Sequence, residues 1–228
     1  MSDSLQKFIF ENTPIRGSIV QLGATWHAVL ERHEYPSPIK NILGELMASA
    51  ALLATTLKFD GSLIMQIQGQ GAVKLLVVEC NSDLTLRAMA QWDDATLDGL
   101  VTFRQLTGDG RFVITIDPKD SRQTYQGIVE LTGETVAETL QHYMETSGQL
   151  ATRLWLTTEN NQAAGLLLQK LPGEQEMDID AWNRALHLAS TVNPDELLLP
   201  PEEILHRLYH EEDVRLFEPH APSIRCTC

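Results

Sequence analysis

The chain has 228 residues, 43% of them hydrophobic, and a formal net charge of -14. That length suits one large domain or a domain with an appendage, and the apolar share is enough for a sizeable core. The acidic balance argues against the clustered Lys and Arg that phosphate backbones and anionic membranes require, so neither nucleic acid nor membrane is expected as a partner.

Met1 to Lys7 shows no basic stretch leading into an apolar run, so no signal peptide is expected. The longest apolar run, Ala48 to Leu57, is interrupted by Ser49, Thr55 and Thr56 and is too short to span a bilayer. Three cysteines without a leader point to a reducing, cytoplasmic setting, where close cysteine pairs serve as metal ligands or redox sensors.

In chain order, Phe8 to Leu22 reads as a turn around Pro14 followed by a short strand, Ser18 to Leu22. Ala24 to His33 is a helix stopped by Tyr35-Pro36-Ser37-Pro38. A second helix starts at Pro38, and apolar residues recur at three- and four-residue steps from Ile39 to Leu57. Small residues fill its other face, so it is expected to be buried nearly all round, as a central helix under a sheet. From Gly61 the period falls to two: Leu63 to Gln68, Val73 to Glu79 and Leu84 to Ala90 read as strands. Further strands are expected at Arg111 to Ile116 and Gln123 to Leu131, a helix at Gly133 to Tyr143, and a hairpin, Arg153 to Thr158 with Ala163 to Leu171, around Asn160-Asn161. The expected fold is therefore α+β, an antiparallel core with packed helices, over residues 1–172.

Pro172-Gly173 marks a change to acidic helix across 173–225. Trp182, Leu186, Leu197, Leu198, Ile204, Leu205, Leu208 and Tyr209 are interleaved there with carboxylates, and Pro194, Pro200 and Pro201 cut the region into short helices. Such helices depend on docking. The segment reads either as an order–disorder switch or as a plain helical appendage.

Gly69-Gln70-Gly71 and Gly108-Asp109-Gly110 lack the third glycine, helix or Lys-Ser/Thr of a phosphate loop, and both read as hairpin turns. No nucleophile elbow, zinc-protease or EF-hand pattern occurs. His206 and His210 are four apart, at metal-sharing spacing, while His210-Glu211-Glu212 reads as a solvated face. No catalytic constellation emerges. Cys80 reads as a buried strand-end thiol. Residues 226–228, Cys226-Thr227-Cys228, remain open between half of a tetrahedral zinc site, a strained disulfide and two ordinary thiols.

Several segments together resemble the heat shock protein 33 family. They are Arg16-Gly17, Tyr35-Pro36 with Asn41 to Leu46, Leu57-Lys58-Phe59-Asp60-Gly61, Gln68 to Gly71, Gly108-Asp109-Gly110, Tyr125-Gln126-Gly127, Arg207 to Glu212 and Arg225-Cys226-Thr227-Cys228. The resemblance implies a redox-regulated, ATP-independent holdase chaperone and no enzyme. It implies a core domain, a metastable linker, and a zinc domain built from a C-x-C and a distal C-x-x-C. Reduced, four thiolates hold zinc and the protein is idle. Oxidised, the pairs form disulfides, zinc leaves, the linker unfolds, and unfolding client proteins are held; the activated form can form a homodimer. Carried over, Cys226 and Cys228 are the first two zinc ligands and the C-x-C disulfide pair. Cys80 takes no role, and the apolar linker residues named above become client-binding candidates. The sequence given stops at Cys228 without the C-x-x-C, and two thiolates do not close a zinc site, so no bound zinc is expected in these 228 residues.

Overall fold

The computed structural model describes residues 3–57, 60–120, 123–148, 150–172 and 180–225. Strand β1 (Ser4–Phe10) turns back into β2 (Ile15–Leu22), and helices α1 (Ala24–Leu30) and α2 (Ser37–Ala54) follow. Next come β3 (Gly61–Gly69), β4 (Val73–Asn81), β5 (Thr85–Trp92), the short α3 (Phe103–Thr107), β6 (Gly110–Pro118) and β7 (Tyr125–Glu130). Helix α4 (Val136–Thr146) leads to the hairpin of β8 (Thr152–Glu159) and β9 (Gln162–Lys170). The last stretch carries α5 (Ala181–Ala189), a 3-10 turn at Pro194–Leu198, α6 (Pro201–Tyr209), β10 (Val214–Leu216) and β11 (Ser223–Ile224).

The α+β expectation holds, with two sheets rather than one. The first sheet runs β10-β1-β2-β9-β8 and the second β11-β5-β4-β3-β6-β7. All pairings are antiparallel except β11 with β5. Helix α2 lies between the two sheets, and every residue from Leu46 to Leu53 is buried. That explains its pattern: a helix sandwiched on two sides needs apolar or small side chains all round. Proline in its first turn suits a start where the N–H has no intrahelical partner. It stops at Ala54 rather than Leu57, because the Thr55 and Thr56 hydroxyls donate back to the carbonyls of Leu52 (2.7 Å) and Leu53 (2.8 Å).

The two glycine triplets make different turns. Gly69-Gln70-Gly71 joins β3 to β4, as expected. Gly108 instead ends α3: its φ is +59°, and its N–H donates to the Arg104 carbonyl at 2.8 Å. Asn160 and Asn161, with φ of +51° and +57°, make the tight turn of the β8–β9 hairpin.

Two expectations need correction. The N-terminal stretch is a full strand, β1, and not merely the approach to a turn; both its faces are covered, so it shows no clean alternation. Helical character in the last region ends at Tyr209, beyond which β10 and β11 each join an edge of a sheet. These strands are three and two residues long, so partners distant in sequence make them, not local propensity.

Candidate functional site

The first sheet has two apolar faces. Leu5, Val20, Leu22, Ala163 and Leu167 point inward to α2. Phe8, Phe10, Ile15, Ile19, Ala164, Leu166 and Leu168 point the other way and form a second, separate cluster. The alternation along each strand follows from the pleat. Gly17, directly opposite Phe8, is part of this face: a Cβ there would collide with the Phe8 ring, so the glycine lets the ring lie flat across the strand.

Residues 181–216 cover that outer face. Ala181, Ala185 and Ala189 recur along one side of α5 and are buried, so this helix seats close to its neighbours. Leu197, Ile204, Leu205, Leu208 and Tyr209 are buried in the same cluster as the sheet residues, while Trp182, Leu186 and Leu198 pack half-buried at its rim. All eight sequence-derived client-binding candidates are thus gathered on one interface, and in this state they face the sheet rather than solvent.

Side-chain polar contacts reach the cover from Gln6, whose amide donates to the Phe217 carbonyl at 3.0 Å, and from Gln21. The Gln21 amide donates to the carbonyls of Leu197, at 3.0 Å, and Leu199. Tyr209 meets the Phe10 ring edge-on at 4.8 Å, and its hydroxyl donates to the Ala185 carbonyl at 3.2 Å. Burial, helped by the charge of Glu212, raises the Tyr209 phenol above its ordinary range, so it stays a neutral donor. Arg184 and Glu212 form a two-pronged ion pair that ties α5 to the end of α6. Glu212, read earlier as part of a solvated face, is therefore a clasp. At the tip of β8, a hydrogen bond to Asp195 of the cover, with burial and its charge, raises the Glu159 carboxyl above its ordinary range.

Beyond α6 the chain is strapped to both sheets. Phe8 pairs with Leu216, Ile9 with Arg215 and Phe10 with Val214. Ser223 and Ile224 pair with Thr85 and Leu86, and the Arg225 N–H donates to the Leu86 carbonyl at 3.1 Å. Cys226 and Cys228 lie outside the described residues. Cys80 is fully buried on β4, and burial, then Asp83 and Glu79, push its thiol up to about 12. It is an inert packing residue, as read from the sequence. The rings of His206 and His210 lie 5.9 Å apart, and no group of three or more metal-ligating side chains occurs among the described residues. No described helix is long and apolar enough to cross a membrane.

The sequence did not single out the sheet half of this interface. A signal for it existed: Ala163 to Leu168 is apolar or glycine at every position, and a strand without alternation is one buried on both faces.

Fold and site define an α+β protein that keeps an apolar sheet face beneath a helical cover. The model of the Hsp33 protein family matches residues 3–228, and the chain belongs to that family. The 33 kDa chaperonin of Methylobacillus flagellatus is 49% identical over 231 residues, covering 100% of this chain and 78% of that protein. That of Chromobacterium violaceum is 49% identical over 228 residues, covering 99% of this chain and 77% of that protein. The crystal structure of the 33 kDa chaperonin (heat shock protein 33 homolog) of Thermotoga maritima has the same fold. Its TM-score is 0.82 at 18% identity, over 99% of this chain and 81% of that one.

Proposed function

We propose that this chain is a redox-regulated, ATP-independent holdase: a cytoplasmic binding protein, not an enzyme, that captures unfolding proteins under oxidative stress. The observation that carries the reading is the outer apolar face of the first sheet, closed by a helical cover seated on it through apolar side chains. A face of that character, once uncovered, binds apolar segments that unfolding proteins expose. The carboxylates on the far side of the cover keep such a complex hydrated.

The redox element of the proposal is Cys226 and Cys228, one and three residues along the chain from Arg225, the last described contact with β5. Oxidation of the pair releases the strap, and the cover follows. In the reduced state the same two thiolates would supply two of the four ligands of a zinc site. A tetrahedral site takes four, and Cys80 cannot add a third because its thiol is buried and protonated. The residues present fit half of such a site. Neither nucleic acid nor membrane is a proposed partner; a homodimer of the activated form is.

Light scattering of a thermally unfolding protein, without ATP, tests this. Suppression of scattering is expected after peroxide treatment, and weaker suppression under reducing conditions. A molar excess of oxidised chain that leaves scattering unchanged contradicts the reading.

A further inference from the structure

Strand β1 is closed on one side by β2 over its whole length, Ser4 to Phe10, and on the other side, among the described residues, by three residues of β10, the residues flanking it and a bridge from Leu5 to His220. The groups on that second edge are the odd-numbered residues. Leu5 and His220 exchange two backbone bonds of 2.8 Å, the Phe217 N–H donates to the Lys7 carbonyl at 2.9 Å, and the Glu11 N–H donates to the Asp213 carbonyl at 2.8 Å. The occupant of the edge displays the chemistry it accepts. Val214 and Leu216, opposite Phe10 and Phe8, pack half-buried onto the outer apolar cluster, whereas Arg215 between them is exposed and pairs with Glu11 at 3.0 Å.

We propose that the β1 edge is a strand-addition site: in the activated protein, an extended client segment with apolar residues at alternate positions replaces β10 on β1. The proposal rests on the holdase reading and says how the client is held. Adding a strand there extends the apolar face, because side chains at the positions of Val214 and Leu216 point to the same side as Phe8 and Phe10. The main-chain bonds are supplied by any polypeptide, which suits a protein that must accept clients of unrelated sequence. An edge left open would invite pairing between copies, and β10 is the device that keeps it closed at rest.

The test uses the full chain after peroxide activation and a fluorescent, permanently unfolded client, such as reduced and carboxymethylated α-lactalbumin. Peptides with the sequence of residues 211–222 compete with it in three forms: unmodified, N-methylated at Arg215 and Phe217, and N-methylated at Val214 and Leu216. The Phe217 amide faces β1, and Arg215 faces it by alternation, while the amides of Val214 and Leu216 face away. The unmodified peptide and the Val214/Leu216 form are expected to displace the client. The Arg215/Phe217 form is expected to need at least tenfold more. Equal potency of the two methylated forms, or no displacement by the unmodified peptide from a chain that does bind client, overturns strand addition and leaves the holdase reading standing. A client that fails to bind before any peptide is added overturns the holdase reading, and strand addition falls with it.

Discussion

The two faces of the first sheet make opposite use of the same strands. On the inner face, side chains from both sheets close around α2, which is buried on every side from Leu46 to Leu53. On the outer face, the cluster is completed by short helices that each bury one stripe; the Tyr209 hydroxyl and the Arg184–Glu212 pair tie them to one another, and Gln21 reaches them from the sheet. The inner face cannot be exposed without unfolding the protein. The outer face can be exposed by removing residues that the inner core does not use. The difference lies in where each layer's partners come from, and it gives one chain both a permanent core and a removable cover.

Mutations on the two sides should therefore behave differently. Leu46→Ala leaves a cavity in a site with no room to collapse and is expected to lower global stability by about 2–5 kcal/mol. Chemical denaturation followed by circular dichroism measures it, and α2 and the sheets should melt together. Ile204→Ala removes a comparable side chain from the cover, about 2–4 kcal/mol, yet the loss should appear only in local opening. Limited proteolysis between residues 180 and 225 should accelerate at least tenfold while the global midpoint stays in place. Equal loss of global stability from both substitutions would mean that cover and body are one cooperative unit.

The smallest effect sharpens the contrast from the side of the body. Glu45 is half-buried on α2, and burial pushes its carboxyl up to about 7 from an ordinary 4.5. Its folded value lies above its unfolded value, so the protonated form favours folding. That contribution is fully present below about pH 4.5 and is lost as pH rises through about 7. Glu45→Gln is expected to flatten this part of the stability profile and to add about 1–3 kcal/mol at pH 8. Denaturation midpoints of both proteins from pH 5 to 8 check it; parallel profiles would show that Glu45 carries no such penalty.

Much of the body was legible because its signals are local. The 3.6-residue recurrence from Ile39, the period-two runs from Leu63 and the Asn160-Asn161 turn each specify an element within a few residues of chain. The cover was legible as apolar helices but not as a cover, since its counterpart is spread over β1, β2 and β9, far away in sequence. β10 and β11 were read as part of an acidic helical stretch because three and two residues carry no period of their own. Glu212 illustrates the same limit: among neighbouring carboxylates it looks like any solvated acid, and only the fold brings Arg184 to it. Cys226 and Cys228 stood out by spacing alone, and the redox role proposed for them rests on that motif and on the strap that reaches Arg225.

On oxidation the proposed holdase sheds its cover while its core stays. Backbone hydrogen exchange of the full chain, compared before and after peroxide treatment, tests it most directly. The account predicts that amides of residues 181–216 lose protection on oxidation, that those of Ser37–Ala54 keep it, and that adding an unfolded client restores protection along β1. Loss of protection in α2 and the cover together, or in neither, would contradict it.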